Sequence, residues 1–358
     1  MLRRDPDPTL EDDSHSTMDA ATRSINTTRG EALHAIVRYA LWVHRGLAPT
    51  DPFKRLLPTE VRQVLDEHLD PQRDPSTAVR AVYGQWLPWL IRLDRAWVSG
   101  SLARIFPTEP ELGHLRAAAW DTYVTFCPAH DEPFDVLRSE YFAAVDALGR
   151  EGTGRRSRDP EASLGEHLMM LTARGRVTWE DETGLLRSFF AKASDEVAQH
   201  ALAFVGRAIR NEHPPSAEVM NRFTALWDHI LAEVRSCAPV SKKALKAFGW
   251  WFGSGRFRRE WSTENLLEVL RLVGGVDADF LVFEELERIA REAPASAVKV
   301  LRELIRDDPQ GWGLISSREH VRAVLAAGLA DMAAAERTRE VLHELGARGH
   351  IEFRDLLQ

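Results

Sequence analysis

Few residues of this chain stand in arrangements that could do chemistry. No HExxH, GxSxG or CxxC occurs, and no aspartates fall at EF-hand spacing. The nearest approach to a phosphate loop is GREGTGRRS, Gly149 to Ser157, which has Arg155 where lysine is required. No strand pattern precedes it, so it reads as a linker. In SLGEHLMML, Glu166 and His167 suggest a base or a metal ligand. Adjacent helical residues diverge by about 100°, which favours a capping or hydrogen-bonding role for the pair instead. An enzyme would need ionisable groups converging in one pocket, for which Glu166, His167 and Asp121 are only weak candidates. No catalysis, metal or cofactor is expected.

A different chemistry is suggested by GWWFGSGRFRREW, Gly249 to Trp261, which holds three of the eleven tryptophans and three arginines. Between Ser241 and Trp261 lie Lys242, Lys243, Lys246, Arg256, Arg258 and Arg259 against the single Glu260, in a chain of net charge −8. Basic residues interleaved with rings could stack on single-stranded nucleic acid or grip an acidic partner. Helical geometry divides the rings. On a helix from Lys242 to Phe252, the side chains of Ala244, Leu245, Phe248, Trp251 and Phe252 share one stripe, the expected core face. Trp250 falls opposite, with Lys243 and Lys246. It is either packed against a second neighbour, with lysine stems along it, or part of a binding surface with Arg256, Arg258, Arg259 and Trp261.

The elements that would carry these residues are helices. With 358 residues, 44% of them hydrophobic and 28% charged, the chain can bury a large core, as two domains or one elongated array. Period-2 alternation with β-branched residues is almost absent. From Arg29 onward apolar residues recur at three and four, as in Leu33, Ile36, Val37, Ala40 and Leu41. Prolines, among them Pro58, Pro88, Pro128, Pro160, Pro214 and Pro294, are expected to punctuate the helices. Five amphipathic segments close the chain: Leu266 to Val273, Phe280 to Ala290, Val298 to Ile305, Val321 to Leu329 and Thr338 to Leu345. Their short connections predict antiparallel hairpins. Many hairpins in register would make a HEAT-type solenoid, with a degenerate repeat because no fixed-period consensus is visible.

Composition sets the boundaries. Residues 1–23 are acidic and poor in large apolar side chains, which predicts a disordered tail. Residues 24–148 form a first helical half, 149–162 a Gly/Arg-rich linker and 163–358 a second helical half. Cys127 and Cys237 lie far apart without metal-type spacing and read as buried thiols in a reducing, cytoplasmic setting. Apolar runs end well short of the roughly 20 residues a membrane span needs, so no membrane partner is expected.

The segments SINTTRGEALHAIVRYALW (Ser24 to Trp42), AAAWDTYVTFC (Ala117 to Cys127), LGEHLMML (Leu164 to Leu171), FGWWFGSGRF (Phe248 to Phe257) and LGARGHIEFRDLL (Leu345 to Leu357) resemble, in order, the C-terminal helical-repeat region of very large bacterial proteins of the STAND type. Those proteins are held to act in antiphage defence. The resemblance implies an all-α, HEAT-like solenoid that recognises a trigger, with NTPase and effector functions residing in other modules. The chain would then be a separately encoded or shortened sensor part, unless the likeness concerns the scaffold alone. The expectation is a non-catalytic recognition or scaffold module with a protein partner. The alternative is a nucleic-acid-binding solenoid that uses residues 241–261.

Overall fold

The computed structural model describes residues 18–47, 56–149, 159–211, 213–307 and 312–357, and among them there are helices and no strand. The expected linker core, 150–158, and most of the expected tail lie outside these residues. The chain divides into two compact units, Met1–Leu171 and Thr172–Gln358. The division falls inside a helix beginning at Pro160 rather than in the Gly/Arg-rich stretch.

The first unit contains α1 (Ala20–Asn26), α2 (Thr28–Gly46), α3 (Thr59–His68), α4 (Thr77–Leu93), α5 (Arg95–Ile105), α6 (Gly113–Phe126), α7 (Asp131–Asp146) and most of α8 (Pro160–Ala173). Helix α1 starts within the stretch expected to be tail, because Asp19 caps it by accepting from Thr22 N at 2.7 Å and Arg23 and Ser24 are buried. Helix α4 is the hub, packing on α1, α2, α5, α6 and α7. Its first eight residues, Thr77 to Gly84, are all buried. Gly84 permits the tightest of these contacts, since a Cβ there would stand 2.1 Å from Ala119 O on α6.

Two polar side chains hold the hub in place. Arg80 is 1% exposed. Its guanidinium donates to Arg104 O at 2.7 Å and to Leu69 O, so one buried cation satisfies the carbonyl ends of both α5 and α3. Tyr83 adds a hydrogen bond of 2.7 Å to Leu65 O. Beside them, Asp74 accepts from His68 Nδ1 at 2.6 Å and Arg29 at 3.2 Å. Burial alone would raise the Asp74 pKa, but these partners hold it below the usual carboxylate value.

Pro88 does not end a helix as expected; α4 runs through it. A proline ring removes the N–H that would have bonded the carbonyl four residues earlier. Here the Cys127 thiol points at that carbonyl, Gly84 O, at 3.8 Å, and at Gln85 O at 3.3 Å. Pro160 and Pro294, by contrast, stand at the first position of their helices, where no N–H is missed.

The second unit continues with α9 (Leu185–Lys192), α10 (Asp195–Ile209), α11 (Ala217–Arg235), a 3-10 turn (Lys243–Ala247) running into α12 (Phe248–Phe252), α13 (Arg259–Val273), α14 (Asp279–Ala290), α15 (Pro294–Asp307), α16 (Trp312–Ser316), α17 (Arg318–Ala330), α18 (Ala335–Ala347) and a 3-10 segment (Ile351–Leu357). The five amphipathic segments fall in α13, α14, α15, α17 and α18. Two rows emerge. Helix α10, the turn with α12, α14 and α17 pack successively, as do α13, α15 and α18, and α12, α14 and α17 also pack on members of the second row. Helix α11 joins the second row through Trp227 Nε1, which donates to Asn265 on α13 at 2.9 Å.

Five of the side-chain contacts between helices of this unit share one sequence separation, while others, such as Trp227 with Asn265 at 38 residues, do not. Arg235 with Glu268, Trp261 with Asp228, Arg259 with Glu292, His320 with Glu287 and Arg322 with Asp355 are each 33 residues apart.

At the start of α2, Thr27 is the cap, accepting from Gly30 N at 3.2 Å. Glu31, in the first turn, reaches Arg38 at 3.8 Å. Thr27→Ala should therefore lower stability by about 1 kcal/mol, the usual loss for a helix cap, whereas Thr28→Ala should leave it nearly unchanged in urea unfolding.

Candidate functional site

The aromatic and basic segment is placed by glycine. Gly249 and Gly253 stand four apart on one face, where a Cβ would meet Asp277 O at 1.7 Å and Leu281 Cβ at 2.5 Å respectively. Only hydrogen fits between α12 and the start of α14. On another side, Gly206 of α10 lies so close to Trp250 that a Cβ there would be 2.5 Å from Trp250 Cβ. The glycines thus seat α12 between its neighbours and fix where each ring goes.

Ala244, Leu245, Phe248, Trp251 and Phe252 are all buried, as the stripe predicts. The first part of the segment is 3-10 rather than the single helix expected. Trp251 donates through Nε1 to Leu202 O at 2.7 Å and stacks on Phe257 at 5.4 Å. Trp261 packs against Phe257 and Phe248, at 4.9 and 5.7 Å, while its Nε1 donates to Asp228 at 3.0 Å. Trp261 is therefore a half-buried packing residue. Trp250 is half-buried too, with the Arg207 guanidinium 5.5 Å from its ring centre and Phe280 edge-on at 6.4 Å.

Much of the positive charge is engaged within the unit. Lys243 pairs with Asp195 at 2.8 Å, Arg259 with Glu292 at 3.0 Å, and Arg256 donates to Asn211 O at 2.9 Å. Lys242 and Arg258 are exposed, and Lys246 is half-buried. The structure brings Trp250 and Arg256 to the edge formed with α10, and it sends Lys243 and Arg259 to acidic partners on adjoining helices. Sequence reading missed Arg207 and Phe280; their only signal is a cation and a ring whose pairing needs the repeat register.

The candidates for enzymatic work are placed differently. His167 lies in the first unit, 2% exposed. Its Nε2 faces Cys127 O at 2.7 Å and must carry the proton. Nδ1 then accepts from Tyr141, at 2.8 Å, whose hydroxyl lies 3.1 Å from that of Tyr123. The imidazole closes a buried hydrogen-bond chain. Glu166 and Asp121 are half-buried. Cys127, as expected, is a buried thiol, its pKa pushed up to about 12 by burial. Cys237 is not buried: it ends α11 in a left-handed conformation, φ 57°, with its side chain exposed.

A second serine and histidine, not singled out from sequence, meet in the same unit. Ser24 Oγ is 3.0 Å from His34 Nε2, the spacing of a nucleophile and its base. Trp86 Nε1 donates to His34 Nδ1 at 2.7 Å, which leaves the proton on Nε2, and Ser24 donates to Ala21 O at 2.7 Å. The histidine therefore gives a proton to the serine oxygen and cannot take one. Among the described residues no group of three His, Cys, Asp or Glu could hold a metal ion. No described helix is long and apolar enough to cross a membrane.

Set against protein families, curated proteins and solved structures, the chain matches none.

Burial lowers the His167 pKa from 6.5 to about 4. The folded state holds this histidine neutral while the unfolded chain protonates it, so its contribution is full above pH 6.5 and lost as pH falls toward 4. The loss amounts to roughly 3 kcal/mol at 1.36 kcal/mol per unit. Urea unfolding across that window should show the decline, and His167→Gln should flatten it. The rings separate similarly. Trp251→Ala should cost about 3 to 5 kcal/mol, while Trp250→Ala should cost clearly less, as read by thermal unfolding.

Proposed function

We propose that the chain is a non-catalytic helical-repeat recognition or scaffold module, a HEAT-like solenoid that serves as the sensor part of a bacterial antiphage defence system and binds a macromolecular trigger in the cytoplasm. The observation that carries this reading is the pair of helical rows in the second unit, with contacts recurring 33 residues apart. Stacked hairpins of this kind present long surfaces made of many similar turns, suited to macromolecules rather than to a small substrate. The resemblance of five ordered segments to STAND-type repeat regions supplies the defence context. The ion pairs of Lys243 and Arg259 favour a protein partner over nucleic acid, because cations already matched to carboxylates contribute little to phosphate binding.

Two measurements test this reading. A compact chain of this length would have a radius of gyration near about 21 Å, and solution scattering of the monomer should give a clearly larger value. Affinity purification of the tagged chain from its own cells during phage challenge should recover a stoichiometric protein partner. A globular radius would remove the solenoid, and recovery of no macromolecule would remove the recognition role.

A further inference from the structure

We infer that the edge of the second unit formed by Arg207, Trp250 and Phe280 is the docking surface for an acidic protein segment carrying an apolar anchor, an inference that rests on the recognition reading above. Three successive members of one helical row supply it: α10 gives Arg207, α12 gives Trp250 and α14 gives Phe280. The tight seating of Gly206 and Gly249 holds these helices at fixed separation, so the surface is preorganised. Phe280 is 53% exposed, although it stands in a helix with a well-formed buried face. It meets the Trp250 ring at 89°, and the two rings form an angled apolar corner. The exposed Arg207 guanidinium lies 5.5 Å from the Trp250 centroid, where the ring holds the cation beside that corner.

The charge of this edge points to the occupant. Arg207, Arg210, Lys246 and Arg256 outnumber Asp277, Asp279 and Glu284, giving four positive against three negative charges in a chain of net charge −8. Arg210 and Glu284 offset each other at 3.5 Å, and Asp277 accepts from Gln199 at 2.6 Å. The exposed cation set beside the aromatic corner is Arg207. A carboxylate of the partner can meet Arg207 while an apolar side chain enters between the rings. A nucleic acid strand fits less well. Base stacking needs open, roughly parallel ring faces, whereas these rings are perpendicular.

Fluorescence anisotropy with three labelled probes tests the surface on the full chain: a short peptide alternating glutamate with leucine and phenylalanine, its lysine counterpart, and oligo-dT. The acidic peptide should bind in preference to the other two, weaken as salt rises, and lose about tenfold or more in affinity in Arg207→Glu and in Phe280→Ala. Arg337→Glu, an exposed change on α18, should bind like wild type. Absent binding of the acidic peptide, or binding indifferent to both substitutions, overturns the inference. Preferential binding of oligo-dT that both substitutions weaken overturns it in favour of nucleic acid. The same variants are then carried through the affinity purification. A partner recovered equally by wild type and by both variants rejects this surface while leaving the recognition role intact. Loss of the partner from the variants alone supports the surface.

Discussion

The packing of this chain depends on helices meeting at backbone distance. Ordinary helix pairs are held 8 to 10 Å apart by the side chains between them. Where a glycine replaces the intervening side chain, the backbones themselves become the contact, and the partner position is set by hard repulsion. Gly84 does this for α4 and α6, Gly206 for α10 and α12, and Gly249 with Gly253 for α12 and α14. Each contact fixes one helix against the next to within a fraction of an ångström. The large rings then fill the spaces that remain, which explains why a five-residue helix can carry two tryptophans and two phenylalanines without exposing most of them.

Burying so much surface also traps polar groups, and the first unit gives several of them local partners. Arg80 is a buried cation without a carboxylate in its hydrogen bonds; the converging carbonyls of two helix ends take that place. Asp74 shares its charge with His68 and Arg29. The Cys127 thiol faces the carbonyls near Pro88, and the Cys127 carbonyl anchors His167. Buried polar groups of this kind add little net stability, since each also had partners in water. Leaving one unmatched is costly, so they select a single arrangement of α3 to α8 against compact alternatives.

How legible this was in the sequence varied with the range of the interaction. The stripe Ala244, Leu245, Phe248, Trp251 and Phe252 follows from local periodicity, and the burial agrees. So does the series of amphipathic segments from Leu266 to Leu345. Interactions between distant segments were out of reach. That Arg259 meets Glu292, or that Arg207 covers Trp250, depends on a register no local pattern discloses. The spacing of Gly249 and Gly253 was a readable signal of close approach, overshadowed by the tryptophans between them. Pro88 misled because the carbonyl it leaves free is met by the Cys127 thiol, a donor from a distant segment. Cys237 misled because a cysteine at a left-handed helix end stands where glycine is usual, and its side chain is left outside.

The pairing of residues 33 apart in the second unit has a consequence for how that unit comes apart. Contacts of such short reach along the chain give a low contact order, so loop closure imposes only a modest entropic barrier and each hairpin can form as soon as its predecessor is in place. Unfolding can likewise go by steps, since opening one helix releases first the partners 33 residues away.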